Sequence, residues 1–255
     1  MRSTLPDSVG PVTKPGPQHR EGADPLAWLV SLEGVPSAFA ATRDGIDAML
    51  RDRGLRRTDP AQTVESLLRG AHASAVLSGS GSTLDEVRAG EGDEVARAAA
   101  RMSTALLSLV PVIVHSPLQA LSRLHVLAAG TDTAGRPATP EAADRMKALA
   151  SALGAVTEAP ALLVAAVAHA EVVTVAPFGS YDGLVARAAE RLVLVARGVD
   201  PASLVVPEAG HLALRAEYES NLRGYAGGGR PGLQAWLLYA AEAQARGAES
   251  SPLVG

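Results

Sequence analysis

The sequence predicts a single all-α domain, and three observations lead to this prediction. Apolar residues recur at helical spacings along most of the chain, whereas the one short alternating segment is SLVVP at 203–207. Helix-start signals precede many of these apolar segments. Hydrophobic residues make up 47% of the 255 residues but aromatic residues only 3%, so Ala, Leu and Val must form the core. We expect roughly eight to ten helices over residues 24–250 and a disordered arm over residues 1–23.

Several helix starts are predicted from N-cap residues. Three of them combine an N-cap residue with proline at the first helical position, namely Asp59-Pro60, Ser116-Pro117 and Thr139-Pro140. Proline suits this position because the N–H group that it lacks would have no partner there. Thr83 and Glu86 have the spacing of a capping box, in which each side chain binds the other residue's backbone N–H.

The remaining helices are predicted from apolar spacing. From residue 93, apolar residues repeat along one helix face up to residue 109. Residues 161–175 are apolar on almost every side, which predicts a helix at the centre of the domain. Further helices are expected over 182–197, 207–225 and 231–246, and GGG at 227–229 is expected to separate the last two.

Composition excludes several classes of protein. The net charge is −4 and the basic residues are scattered, which argues against a nucleic-acid-binding surface. Cysteine is absent, so disulfides and thiolate chemistry are excluded. The first residues lack the apolar region of a signal peptide. His169, Glu171 and Pro177 interrupt the longest apolar stretch, which favours a buried helix over a membrane span. We therefore expect a cytoplasmic protein.

The segment PFGSYDG at 177–183 forms a turn that leads directly into the helix predicted from residue 182. Residues 169–201, which contain it, resemble the signature region of Fic (Fido-fold) proteins, whose motif reads H-P-F-x-[D/E]-G-N-G-R-x-x-R. Aligned with residues 176–187, the motif is matched at four positions, Pro177, Phe178, Gly183 and Arg187. The resemblance covers roughly residues 60–205 and implies a helical domain of that family.

Other positions depart from the motif in ways that argue against its chemistry. Ala176 stands where the family has its His, and Ser180 where it has its acid. Three further positions hold Tyr181, Asp182 and Leu184 in place of Gly, Asn and Arg. The resemblance implies transfer of AMP or a related group from a nucleotide to a target hydroxyl, with the His as general base and the acid holding Mg²⁺. These departures remove the base, the metal ligand and one cation.

Two further regions extend the resemblance. Residues 116–130, with His125, resemble the family's Leu-His helix, and residues 74–79 align with its inhibitory [S/T]-x-x-x-E-[G/N] segment. There Ser78 replaces the inhibitory Glu. The family docks its target on a β-hairpin flap, but the corresponding residues 129–140 read AGTDTAGRPATP and lack alternation. We expect this flap to be shortened or absent.

The sequence therefore predicts a catalytically inactive Fic-like protein that acts through a protein partner or self-association, with no nucleic-acid or membrane partner. No catalytic residue, metal site or cofactor is expected, and Gly183 and Arg187 are vestiges of a phosphate-binding loop. Asp182 is expected at the N-cap of its helix. Arg187 is expected to pair locally with Glu190 or to face solvent. The alternatives are a divergent Fic-type nucleotidyltransferase, which would use ATP and Mg²⁺, and a helical module unrelated to this family.

Histidines are the remaining candidates for chemistry. His169 lies on the most apolar helix and His125 on the predicted Leu-His helix, and both are interpreted as core residues with satisfied hydrogen bonds. No pair of histidines has the spacing of a metal site on one helix. The segments GSGS at 79–82 and YAGGGRPG at 225–232 are interpreted as connections between helices.

Overall fold

The computed structural model describes residues 24–53, 59–131 and 134–254, so the predicted arm over 1–23 lies outside the described residues. The described part is helical and contains no strand, which confirms the all-α prediction. Its α-helices are α1 (Val35–Arg53), α2 (Pro60–Leu77), α3 (Leu84–Ala89), α4 (Glu94–Ala105), α5 (Val110–His115), α6 (Pro117–Ala129), α7 (Pro140–Gly154), α8 (Ala161–Val175), α9 (Asp182–Ala196), α10 (Pro207–Ala213), α11 (Arg215–Ala226) and α12 (Gly229–Glu249). Two 3₁₀ segments, Ala27–Ser31 and Leu106–Leu109, accompany them.

Most predicted helix starts are confirmed with their caps. The Asp59 side chain accepts the Ala61 N–H at the start of α2, and Thr139 caps α7 in the same way. Thr83 and Glu86 form both bonds of the capping box at α3. Ser116 precedes α6 as predicted, but its side chain makes no cap hydrogen bond.

The described residues contain more helices than predicted, because α5 follows the predicted face that ends at residue 109 and because the predicted segment over 207–225 is divided. The apolar stretch that starts at residue 93 forms α4 and then a 3₁₀ turn at Leu106–Leu109. Helix α5 follows, with Pro111 in its first turn. Proline in the interior of a continuous α-helix would remove one hydrogen bond and clash with the preceding turn. The segment over 207–225 divides at Leu214, whose ψ of 40° is not helical.

Helix α8 has the predicted bounds and forms the centre of the domain. It packs against α1, α7, α9, α11 and α12. Trp236 of α12 is fully buried, and its indole N–H donates to the carbonyl oxygen of Ala166 over 2.9 Å. Helix α9 packs along α8, and the loop that joins them lies at one end of this central pair.

One stretch of the described residues, Glu94–His115, is long and apolar enough to cross a membrane by length and composition alone. One third of it is buried, and it packs against α2 and α6. Core helices of proteins meet the same criterion, so the stretch is weak evidence for a membrane span.

Helices α10 and α12 approach so closely that only glycine fits between them. A Cβ atom at Gly210 would stand 1.9 Å from the carbonyl oxygen of Ala243. We expect Gly210→Ala to lower the free energy of unfolding by about 1–3 kcal/mol because the helices must separate. Urea unfolding measures this loss. In the matched control, Gly45→Ala, the added Cβ has no neighbour within 4 Å and no loss is expected; a Gly210→Ala variant as stable as the parent would contradict this packing.

Candidate functional site

The loop between α8 and α9 contains the motif positions, and its exposed side chains are not titratable. Ala176 and Tyr181 adopt left-handed conformations with φ values of 47° and 55°, and they delimit the turn. Ala176, Gly179 and Ser180 are exposed. The position where the family places its catalytic His thus presents a methyl group to solvent.

Asp182 does not cap α9, so that prediction is wrong. The N-cap is Tyr181, whose left-handed backbone moves the helix start one residue back, and Asp182 becomes the first helical residue. Its carboxylate turns back to the loop and accepts the Phe178 N–H over 2.9 Å. Burial raises the pKa of Asp182, although the N–H groups of Phe178 and Gly179 oppose this shift. The carboxylate therefore occupies N–H groups that a phosphate would need.

Arg187 neither pairs with Glu190 nor faces solvent, which corrects both expectations for this residue. Its side chain is 2% exposed. Nε donates to the Ser74 hydroxyl over 2.8 Å, and Nη2 donates to the Ser74 carbonyl over 3.0 Å and to the Ser78 hydroxyl over 2.6 Å. Nη1 donates to the Tyr218 hydroxyl over 3.1 Å. All these acceptors are neutral, and together they hold the guanidinium inside the protein.

Two predicted positions explain how Arg187 reaches this place. Ser78, aligned with the family's inhibitory Glu, ends α2 beside the guanidinium. A Cβ atom at Gly183 would come within 3.3 Å of both terminal nitrogens of Arg187. Gly183 therefore leaves room for the guanidinium to lie against α9.

His125 is a buried histidine with partners on both ring nitrogens, as predicted. Nδ1 accepts the Gly135 N–H over 2.8 Å, so the proton of the neutral ring is on Nε2, which lies 3.3 Å from the Ser180 hydroxyl oxygen. The ring stacks on Phe178 at a centroid distance of 4.3 Å. Burial lowers the pKa of His125. In this tautomer Nε2 donates to Ser180 and cannot accept a proton from it.

Beneath the loop, a polar network that the sequence did not reveal joins five helices. The Glu190 carboxylate is fully buried, and its Oε2 accepts from His169 Nδ1 over 2.6 Å and from His211 Nε2 over 2.8 Å. Its Oε1 accepts from the Gln244 amide over 2.8 Å. The Tyr218 hydroxyl lies 2.9 Å from His169 Nε2, on the far side of that ring. His169 is thus a satisfied core histidine, as predicted.

The hydrogen bonds of this network are those expected of neutral histidines and leave no free ligand atom on His169 for a metal ion. His169, Glu190 and His211 offer ligand atoms within 4.8 Å of one another. However, the Glu190 carboxylate can only accept, so the single N–H of the neutral His169 ring is on Nδ1, and Nε2 accepts from the Tyr218 hydroxyl. A protonated Nδ1 cannot bind a metal. Burial lowers the pKa of His169 to about 4, so this ring is neutral at neutral pH.

Comparisons with known proteins identify solved structures with a similar fold. No protein-family model matches the sequence, and no curated protein matches it significantly. The crystal structure of a Fic family protein from Desulfovibrio desulfuricans matches with a TM-score of 0.67 and 18% identity, over 84% of this chain and 73% of that protein. Fic-1 from C. elegans matches with a TM-score of 0.62 and 18% identity, over 87% and 72%.

At this level of identity the comparison bears on the fold alone. The matched structures cover 84% and 87% of the chain. The described residues between α6 and α7 form turns without a strand, in agreement with the expected loss of the flap. The chain therefore has the helical fold of Fic family proteins.

Proposed function

We propose that this chain is a catalytically inactive Fic-fold protein that acts by binding another protein. The observation that carries this proposal is that Arg187, the one arginine of the motif that this sequence retains, is buried and already hydrogen-bonded within the protein. Its guanidinium is 2% exposed and already donates to Ser74, Ser78 and Tyr218. A phosphate at the loop would have to displace these partners, and the position of the motif's other arginine holds the buried Leu184.

The loop also lacks a general base. Such a group must reach the proton of the attacking hydroxyl and be unprotonated near neutral pH. Ala176 has no titratable atom. The imidazole of His125 lies beside Ser180, but its Nε2 carries the proton in the tautomer that the Gly135 N–H fixes. Asp182 is directed to the Phe178 N–H and away from the exposed face of the loop.

The residues present do not fit Mg²⁺-bound ATP. Mg²⁺ prefers carboxylate oxygens and phosphates in octahedral geometry. The carboxylate of the loop itself belongs to Asp182, which is buried and hydrogen-bonded to the loop backbone. Ser180 supplies a neutral hydroxyl at the position of the family's acid. We therefore assign no step to a bound metal or nucleotide.

Transfer of AMP provides the test. We expect no labelling of proteins in a cell lysate when this chain is added with radiolabelled ATP and Mg²⁺ or Mn²⁺. A Fic protein with a complete motif serves as the positive control. Labelling that depends on this chain would refute the proposal.

Restoring the base alone is expected to have no effect. General-base catalysis contributes about 10²–10⁴-fold, but only after the substrate is bound and positioned. Because Arg187 and Asp182 remain engaged within the protein, Ala176→His should show no AMP transfer in the same assay. A measurable gain from this single change would show that the nucleotide site is intact, and would contradict our interpretation of the loop.

A divergent nucleotidyltransferase is the second candidate. It is favoured by the 3.3 Å separation between His125 Nε2 and the Ser180 hydroxyl, which places a titratable ring at the loop. For His125 to act as a base, its proton must move to Nδ1 and the bond from the Gly135 N–H must break. If this candidate were correct, His125→Gln would abolish a labelling activity that the parent protein possesses.

A further inference from the structure

Helix α11 is attached to the rest of the protein unevenly along its length. Tyr218 is the one buried residue of this helix, and the other residues of 215–220 are exposed. The partly buried residues Asn221, Leu222 and Tyr225 all lie in its second half. A helix of this length is marginal without packing, and no side chain caps its N-terminus. The position of the first half of α11 therefore depends on the contacts of Tyr218.

The hydroxyl of Tyr218 joins α11 to the two central helices. It accepts from Arg187 Nη1 of α9 over 3.1 Å and donates to His169 Nε2 of α8 over 2.9 Å. The first of these bonds is the stronger kind, because its donor is charged. The other donors of the guanidinium, Nε and Nη2, bind Ser74 and Ser78 of α2. Arg187 thus lies between α2 and α11, and withdrawal of α11 would uncover Nη1.

The two ends of α11 are held differently. At the C-terminal end, Gly224 packs against Gly232 of α12, where a Cβ atom would stand 2.1 Å from the Gly224 carbonyl oxygen. The Tyr225 hydroxyl donates to Glu171 over 2.6 Å near the same end. At the N-terminal end, Leu214 leaves helical geometry with a ψ of 40° and forms a joint between α10 and α11. This arrangement permits rotation of α11 about its C-terminal end while the joint extends.

We propose that the first half of α11 is a lid over the guanidinium of Arg187, and that the Tyr218 hydroxyl is its latch. The lid opens by rotation about the end at Gly224, and Tyr218 leaves both of its partners. Opening brings Arg187 into contact with solvent while α8, α9 and α12 stay folded. A local opening of this kind requires less free energy than global unfolding. The inference goes beyond the proposed function, because it concerns access to the retained arginine.

Chemical modification of arginine tests the proposal on the full chain. Phenylglyoxal reacts with guanidinium groups that reach solvent, and mass spectrometry of peptides measures the rate at each arginine. Arg191 is the internal control, because it is also 2% exposed but is held by Ser66, Ser203 and Glu208, none of which belongs to α11. We expect Arg187 to react at least about tenfold faster than Arg191. Low concentrations of urea should accelerate Arg191 more steeply than Arg187, because local opening exposes less surface.

Two matched variants test the latch. Tyr218→Phe keeps the ring and removes the hydroxyl that binds a charged donor, so it should accelerate the modification of Arg187 at least about tenfold. The rate at Arg191 should not change in this variant. Tyr239→Phe removes a comparable hydroxyl, which lies 2.9 Å from His211 Nδ1 and belongs to α12. This control should leave the rate at Arg187 unchanged.

Several outcomes would overturn the proposal. Equal rates at Arg187 and Arg191, with the same dependence on urea, would show that Arg187 reaches solvent only when the whole domain unfolds. A rate at Arg187 that Tyr218→Phe leaves unchanged, or that Tyr239→Phe raises equally, would show that the Tyr218 hydroxyl is not a latch. These measurements involve no nucleotide, so failure of the lid is distinguishable from failure of the non-catalytic assignment.

Discussion

Replacing Glu190 by Leu is expected to lower the free energy of unfolding by about 3–5 kcal/mol, the usual cost of removing one partner from a buried charged network. The carboxylate accepts from His169, His211 and Gln244, all fully buried. Without it, three donors lose their acceptor where no water can replace it. Chemical denaturation measures the change.

Two variants show whether this loss comes from the network. Glu190→Gln retains the shape of the side chain and one acceptor oxygen, so it should be less destabilising than Glu190→Leu. Glu219→Leu removes an exposed carboxylate that lies 3.1 Å from Arg215, and should cost no more than about 1 kcal/mol. Equal losses for Glu190→Leu and Glu219→Leu would contradict the structure.

Acid is expected to destabilise the protein by about 3 kcal/mol through His169 alone. Burial lowers the pKa of His169 from 6.5 to about 4, despite the attraction of Glu190. Between these values the unfolded chain binds more protons than the folded one, so stability is full above pH 6.5 and declines as the pH falls toward 4. Burial alone would raise the Glu190 pKa, but His211 and His169 hold it below its ordinary value, which adds a loss below pH 4.5.

Unfolding in urea at pH 7.5 and at pH 4.5 measures this dependence. Asp182 and Asp200 have the opposite effect on the pH dependence of stability. Burial raises their carboxyl pKa values, so they favour the folded protein as the pH falls. The contribution of His169 is therefore obtained by comparing the pH dependence of the parent protein with that of a His169 variant. We expect His169→Gln to reduce the pH dependence between pH 6.5 and 4, whereas His115→Gln, at an exposed position, should leave it unchanged. A parent protein equally stable at both pH values, with no change in His169→Gln, would rule out a buried neutral ring.

Much of the fold could be predicted because its signals are local. Cap residues followed by proline specified the starts of α2, α6 and α7, and the continuous apolar run specified α8 with its correct bounds. The division of α10 from α11 at Leu214 was not predicted, since no glycine or proline marks it. A break of this kind is set by packing against α12, which is distant in the sequence.

The site was predicted less completely for the same reason. The losses at Ala176 and Ser180 are visible in the sequence, but the partners of Arg187 lie on α2 and α11, so local spacing suggested Glu190 instead. Asp182 was misplaced because the left-handed conformation of Tyr181 has no reliable sequence signal. The Glu190 network was missed entirely, since its members are spread over helices α8 to α12.

Calorimetric titration with ATP and Mg²⁺ tests the central claim most directly, because the claim is that this loop no longer binds nucleotide. With Arg187 engaged by Ser74, Ser78 and Tyr218, and with the loop N–H groups bound by Asp182, we predict no binding tighter than about 1 mM, equivalent to roughly −4 kcal/mol. Binding with micromolar affinity that Arg187→Ala abolishes would contradict the account and would favour an active transferase.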